Sequence, residues 1–142
     1  AALVMFVGKA GVGKQRHARA LEKALFTQGR HPYFIDGTNV LMGVDHDLTV
    51  DDTQAELVRR FGEVAYLLLT SGVILVSTTN AIGLADHSAV QALIGDMPSL
   101  VIDVDPSGNS TQPCDLRIKG NENEADVLAK ITDLLKAKSV MS

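Results

Sequence analysis

Residues 8–15 read Gly8-Lys9-Ala10-Gly11-Val12-Gly13-Lys14-Gln15. Glycines at this density let a backbone curl until several N–H groups converge on one anion. A lysine closing such a curl reaches the outer phosphates of a nucleotide, and a helix that follows adds the positive end of its dipole. The frame is G-x-x-x-x-G-K-[ST], the phosphate-binding P-loop, with one departure: Gln15 stands where a Ser or Thr would give Mg²⁺ an oxygen ligand. The Gln amide oxygen sits on a longer stem with a bulky NH₂ beside it, and Mg²⁺ demands near-octahedral oxygens at about 2.0–2.1 Å. The expectation is a cradle from Gly8 to Gln15 for ATP or ADP, with Mg²⁺ held weakly or not at all. An anion is expected over the backbone amides of Gly11, Gly13 and Lys14.

A cradle of this kind works only between a buried strand and a helix. Leu3 to Val7 is a continuous apolar run, the pattern of a strand covered on both faces. Ala18, Leu21, Ala24 and Leu25 recur at helical spacing, and Gly29 stops the helix. Further strands are expected at 32–36, 73–76, 100–103 and 116–118. Helices are expected from Asp51 or Asp52 onward, with an apolar stripe of Leu57, Phe61, Val64, Ala65 and Leu68, from Asp86 to Gly95, and after Asn123 with Val127, Leu128, Ile131, Leu134 and Leu135 facing inward. Strands alternating with helices predict an α/β sandwich around a five-stranded parallel sheet, the three-layer architecture of P-loop NTPases and nucleoside kinases. Ligands of such sheets sit at the carboxyl ends of the strands, where Asp36, Thr79, Asn80 and the glycine loop gather.

Composition narrows the function classes. The 142 residues suffice for one domain with a real core. Net charge is −4 and no basic run exceeds two residues, which argues against extended nucleic-acid or anionic-membrane binding. Cys114 is the single cysteine, so no disulfide framework forms within one chain, which suits a reducing cytoplasm. No apolar stretch approaches membrane-spanning length and no charged-then-apolar leader is present. The first residue is not Met and a core strand follows almost at once, so a domain (1–142) cut from a longer chain is expected.

From Gly8 to Asn80 the chain resembles the adenylylsulfate (APS) kinase family, P-loop enzymes that phosphorylate the 3′-hydroxyl of APS to give PAPS. Ala18-Arg19-Ala20-Leu21-Glu22-Lys23-Ala24-Leu25 is similar to A-R-A-L-E-x-x-L, and Ile35-Asp36-Gly37-Thr38-Asn39-Val40 to L-D-G-D-N-V. Arg59-Arg60-Phe61-Gly62-Glu63-Val64-Ala65 resembles R-R-x-x-E-V-A, and Ser71-Gly72-Val73-Ile74 resembles A-G-L-I. Val104-Asp105-Pro106 looks like V-D-x-P. The resemblance implies strand order 2-3-1-4-5, a role for Asn39 in substrate binding, and a place in sulfate activation, where such domains are often fused to ATP sulfurylase. It also implies a nucleotide or sulfonucleotide ligand, and a homo-oligomer is compatible with it.

Departures from the family pattern fall on the chemistry. Thr38 replaces the second aspartate of D-G-D-N, and Leu41 the arginine that closes that motif. Thr49-Val50 occupies the place of an aromatic residue that stacks on the substrate purine. The substrate-contacting Arg and Asn fall on Gln54 and Leu57. The family's long Arg- and Lys-rich lid after V-D-x-P is replaced by eight residues, Ser107 to Cys114, none of them basic. Cations delivered by a closing element are worth ~10³–10⁵ in rate, so these losses predict a catalytically impaired domain with a regulatory or structural role. An active adenylylsulfate kinase, or a small-molecule kinase of altered specificity, is the alternative.

For several residues the sequence leaves two readings open. Asp36 holds a metal through water or acts as a base, or it simply begins an Asp-Gly turn. Arg16 and His17 contact an anion in place of Gln15, or they are solvated side chains. Lys9 to Lys14 is also similar to the deviant Walker A of ParA/MinD-type ATPases, although everything after Arg16 fits the kinase better. His31, His46 and His87 lack metal-ligand spacing and read as surface residues. Asp45, Asp47, Asp51 and Asp52 read as a solvated acidic loop, and Cys114 as a thiol with nothing nearby to activate it.

Overall fold

The computed structural model describes residues 1–8, 13–35, 50–78 and 82–138, with side chains from Gln54 onward in the third stretch. Its elements run β1 (Ala2–Val7), α1 (Lys14–Thr27), β2 (Pro32–Ile35), α2 (Val50–Thr70), β3 (Ile74–Ser77), a 3₁₀ turn (Leu84–Asp86), α3 (His87–Ile94), β4 (Ser99–Val104), β5 (Leu116–Ile118) and α4 (Glu124–Ala137). The five strands form one sheet in the order β2-β3-β1-β4-β5, every pairing parallel. Both the alternation and the order are as expected.

β1 lies at the centre and is buried from end to end, which is why its six residues are all apolar. Its alternate residues serve two cores. Ala2, Val4 and Phe6 face α1 and α4 together with Ala18, Leu21 and Ile131. Leu3, Met5 and Val7 face α2 and α3 together with Phe61, Ala65 and Val90. Both sides of the sheet are thus sealed, and only the strand ends remain for function.

Local signals set the helix limits. At the end of α1, Gly29 takes φ +78, and the Arg30 amide donates back to the Leu25 carbonyl at 2.9 Å. This is a Schellman closure that a side chain with Cβ would strain. The Asn123 Oδ1 caps α4 by accepting from the Ala125 amide at 2.8 Å and the Asp126 amide at 3.4 Å.

Two expectations shift. The stripe of α2 is centred on Val58, Phe61, Ala65 and Leu69, with Leu57, Val64 and Leu68 half-buried beside it. The helix packs on both the sheet and α3, so its apolar face is wider than one stripe. Gly62 is the point of closest approach to α3, where a Cβ would collide with Leu93. The helix expected from Asp86 begins instead as a tighter 3₁₀ turn at Leu84. The Asp86 Oδ2 accepts there from the Gly83 amide at 2.9 Å and from Gln54 Nε2 at 3.1 Å.

Candidate active site: a phosphate loop backed by the last strand and helix

β1 delivers the chain to Gly8, whose φ of +136 starts the turn, and Gly13 re-enters the helix at φ +100. Lys14 opens α1, is 4% exposed, and donates from Nζ to the Gly8 carbonyl at 2.6 Å. The ammonium therefore stands against the first carbonyl of the loop, beside the helix start that a phosphate would approach. Gln15, one residue on, is exposed. Of the expected cradle, Gly8, Gly13, Lys14 and Gln15 are placed. Lys9, Ala10, Gly11 and Val12 lie outside the described residues, as do Asp36, Asn39, His46, Thr79 and Asn80.

A second layer holds this loop from behind. Gly120, at φ +99, follows β5 and meets Gly13 so closely that a Cβ on Gly13 would stand 2.7 Å from the Gly120 oxygen. The solvated reading fails for His17, which is buried, while Arg16 keeps a side chain that is 41% exposed. Arg16 turns back over this contact, donating from Nη2 to the carbonyls of Gly120 at 2.6 Å and Glu122 at 2.9 Å, and from Nη1 to the Glu124 carboxylate at 3.3 Å. His17 is 2% exposed, with Nε2 at 3.2 Å from the same Gly120 oxygen. Burial, and then the neighbouring Arg16 guanidinium, push the His17 pKa below its ordinary 6.5, so the ring is held neutral. Burial alone would raise the Glu122 carboxyl, but the amides of Lys119, Glu122 and Gly120 outweigh it and leave its pKa lowered. Both residues fasten the phosphate loop to the segment leading into α4.

Beside the loop a cleft of about 760 Å³ opens between Gly8, Leu84, Asp103, Asp105, Ser107 and Gln112. No Lys or Arg is among its described lining residues. The short loop after β4 is tied down in place. Asp105 accepts from the Ser107 hydroxyl at 2.7 Å and the Ser110 amide at 2.8 Å, and these bonds lower its pKa. Arg117, across the β4–β5 ladder from Asp103, donates to the Asp103 carboxylate at 3.0 Å and to the Gln112 carbonyl. The one arginine near this loop is thus turned inward as a strut. Gln54 donates to the Asp86 carboxylate at 3.1 Å, and Leu57 packs against the core.

Two smaller expectations change. His87 is half-buried, with Nε2 at 2.9 Å from Ser99 Oγ, and burial lowers its pKa; it is no surface residue. Cys114 does have a cation nearby in Arg117, but burial outweighs it and pushes the thiol pKa up.

The described residues of the loop fit a nucleotide. Two positive-φ glycines and a lysine held at the helix start fit a polyphosphate. For Mg²⁺ the hydroxyl position is Gln15, and among the described residues no group of three or more His, Cys, Asp or Glu can hold an ion. Sequence reasoning missed Asp103, Arg117 and Gly120. Only Gly120 carried a signal, a glycine just past the last strand.

A sequence model described as adenylylsulphate kinase matches residues 1–117. The chain is 38% identical over 104 residues to the adenylyl-sulfate kinase of Aeromonas hydrophila, covering 72% of this chain and 53% of that protein. It is 38% identical over 105 residues to the bifunctional enzyme NodQ of Azospirillum brasilense, covering 73% of this chain and 17% of that one. In fold it is similar to the Mycobacterium tuberculosis APS kinase CysC solved with AMPPNP and APS, at TM-score 0.78 and 21% identity, covering 95% and 97% of the two chains. The chain spans about half the length of the adenylyl-sulfate kinases it matches. With a match that runs from β1 into β5, this chain belongs to the adenylylsulphate kinase family.

Proposed function

We propose that the chain is a nucleotide-binding domain of sulfate activation that has kept the phosphate cradle and lost most of the transfer machinery. It binds ATP or ADP through Gly8, Gly13 and Lys14, couples weakly to Mg²⁺, and serves a regulatory or structural role beside an ATP sulfurylase domain in the cytoplasm. The likeness to a bifunctional relative supports that placement. The observation that carries the reading is the pairing of an intact Lys14–Gly8 contact at 2.6 Å with an acceptor loop pinned by Asp105 and Arg117. Phosphoryl transfer depends on positive charge around the moving group and on an oriented acceptor. A loop of eight residues without Lys or Arg supplies neither.

Asn39 for the sulfonucleotide and Asp36 as the remaining carboxylate near the phosphates stay part of this proposal. Calorimetry with ATP, ADP, APS and PAPS, with and without Mg²⁺, tests it alongside a coupled assay for PAPS formation. Micromolar-to-millimolar nucleotide binding, little changed by Mg²⁺ and without PAPS production, is the expected result. Robust PAPS turnover would establish the competing reading, an active adenylylsulfate kinase, which the 38% identity to an enzyme of that name favours.

A further inference from the structure

Among the described residues, two buried side-chain atoms find no hydrogen-bond partner: Nδ1 of His17 and Oγ1 of Thr78. The first belongs to a ring whose other nitrogen is anchored on Gly120. The Thr78 hydroxyl has no such account. It is 2% exposed, and more than nine in ten buried polar groups in folded proteins are satisfied.

Its place in the fold says what it faces. Thr78 is the first residue beyond β3, and its amide still donates to the Ile35 carbonyl at 3.1 Å, so strand geometry continues through it. Side chains alternate along a strand. Val76 lies in the core beneath α1, with Phe6 and Ala18, whereas Leu75 lies in the opposite core. Position 78 therefore opens on the α1 face, two residues nearer than Val76 to the carboxyl edge of the sheet. The register pairs Met5 with Ser77, which sets Thr78 level with Phe6, two residues before Gly8. That is the edge above which Lys14 and the first turn of α1 stand. A valine would fill a buried β position here and leave no polar atom stranded.

We propose that Thr78 is a phosphate-binding residue: its hydroxyl donates to a non-bridging oxygen of the terminal phosphoryl group of a nucleoside diphosphate or triphosphate seated on the glycine loop. The hydroxyl that the family carries at position 15 is thus partly replaced from the neighbouring strand, as a direct contact to the anion without a metal between. The inference rests on the nucleotide-binding reading above.

The test is isothermal calorimetry with ADP in EDTA, together with the thermal midpoint of the ligand-free protein, for wild type, Thr78→Val and Thr78→Ser. Thr78→Val is expected to weaken ADP binding about tenfold or more, the scale of a lost hydrogen bond to a charged group. The ligand-free midpoint is expected to stay or rise, because a stranded hydroxyl is removed. A purely structural hydroxyl would instead lower the midpoint and leave ADP affinity alone. Thr78→Ser is expected to bind like wild type. Equal ADP affinity in wild type and Thr78→Val overturns the proposal and leaves nucleotide binding standing. Absence of ADP binding by the wild type overturns both. If Thr78→Val unfolds, Thr78→Ala is read against Thr78→Ser, and equal affinity in that pair overturns the proposal.

Discussion

The carbonyl oxygen of Gly120 lies 2.7 Å from where a Cβ on Gly13 would stand, and Gly13 sits at φ +100. The glycine loop and the loop that follows β5 therefore touch backbone to backbone, with no room for a side chain at Gly13. Gly13→Ala meets two obstacles at once. A left-handed conformation costs an L-residue roughly 1–2 kcal/mol. The clash is with a carbonyl that cannot rotate away. The expected result is a thermal midpoint lowered by roughly 5 °C or more, with nucleotide binding lost, measured by calorimetric melting and ADP titration. A variant that melts and binds like wild type would show that the contact yields easily.

Lys14→Met keeps the stem and removes the charge. The buried ammonium bonded to Gly8 stands at the helix start that a phosphate would approach. ADP affinity is expected to fall about 10–100-fold, because hydrogen bonds to charged groups contribute about 1.5–3 kcal/mol. Titration of both proteins with ADP, followed by intrinsic tyrosine fluorescence or calorimetry, reads the change.

Gln15→Ser is expected to leave PAPS formation near background. Serine restores one metal ligand at an exposed position. It does nothing for the acceptor loop held by Asp105 and Arg117, nor for Gln54 and Leu57, which are engaged elsewhere. An unoriented acceptor forfeits a proximity contribution that reaches about 7–11 kcal/mol. Strong turnover in this single variant would show that the metal ligand alone separates the domain from an enzyme.

Acid should loosen the structure through His17. Its folded pKa is lowered from 6.5 by burial and by Arg16, so the folded state disfavours the protonated ring. The stability of the neutral ring is fully present above pH 6.5, where both states are unprotonated. It is lost as pH falls from there through the folded value. His87, half-buried and lowered by burial, adds a loss of the same sign. Melting curves across pH 7.5 to 5 are expected to show a decline that His17→Gln reduces and His17→Gln/His87→Gln reduces further. A slope unchanged in the double variant would place the acid sensitivity elsewhere.

Much of the scaffold is legible in the residues. The runs Leu3–Val7 and Leu100–Asp103 fall on strands, because largely apolar runs between turn signals have few other uses in an α/β chain. Asn123 is legible as a cap because capping is local. What escaped is non-local. Arg16 reads as a solvated or anion-binding cation until its partners, 104 to 108 residues away, are in place. Arg117 reads as the middle of a short strand, and its use as a strut depends on which residue lies across the ladder. His87 escaped for the same reason, since Ser99 reaches it from another element. Of the site, the glycines and Lys14 were legible by motif. The carboxylate and amide expected at Asp36 and Asn39 lie outside the described residues.

The grip of Arg16 on Gly120, Glu122 and Glu124 also dictates an order of events during synthesis. The glycine loop and its backing are about a hundred residues apart in the chain, so the backing is always made later. Until then Gly13 has no wall and Arg16 no anchor. Contacts so far apart in sequence form late, since the chain between them must be ordered first. Between those two points in synthesis Gly13 lacks the Gly120 wall and Arg16 lacks its three partners. The family match ends at residue 117, three residues short of Gly120, so the segment that completes the pocket is the part of this chain beyond that match.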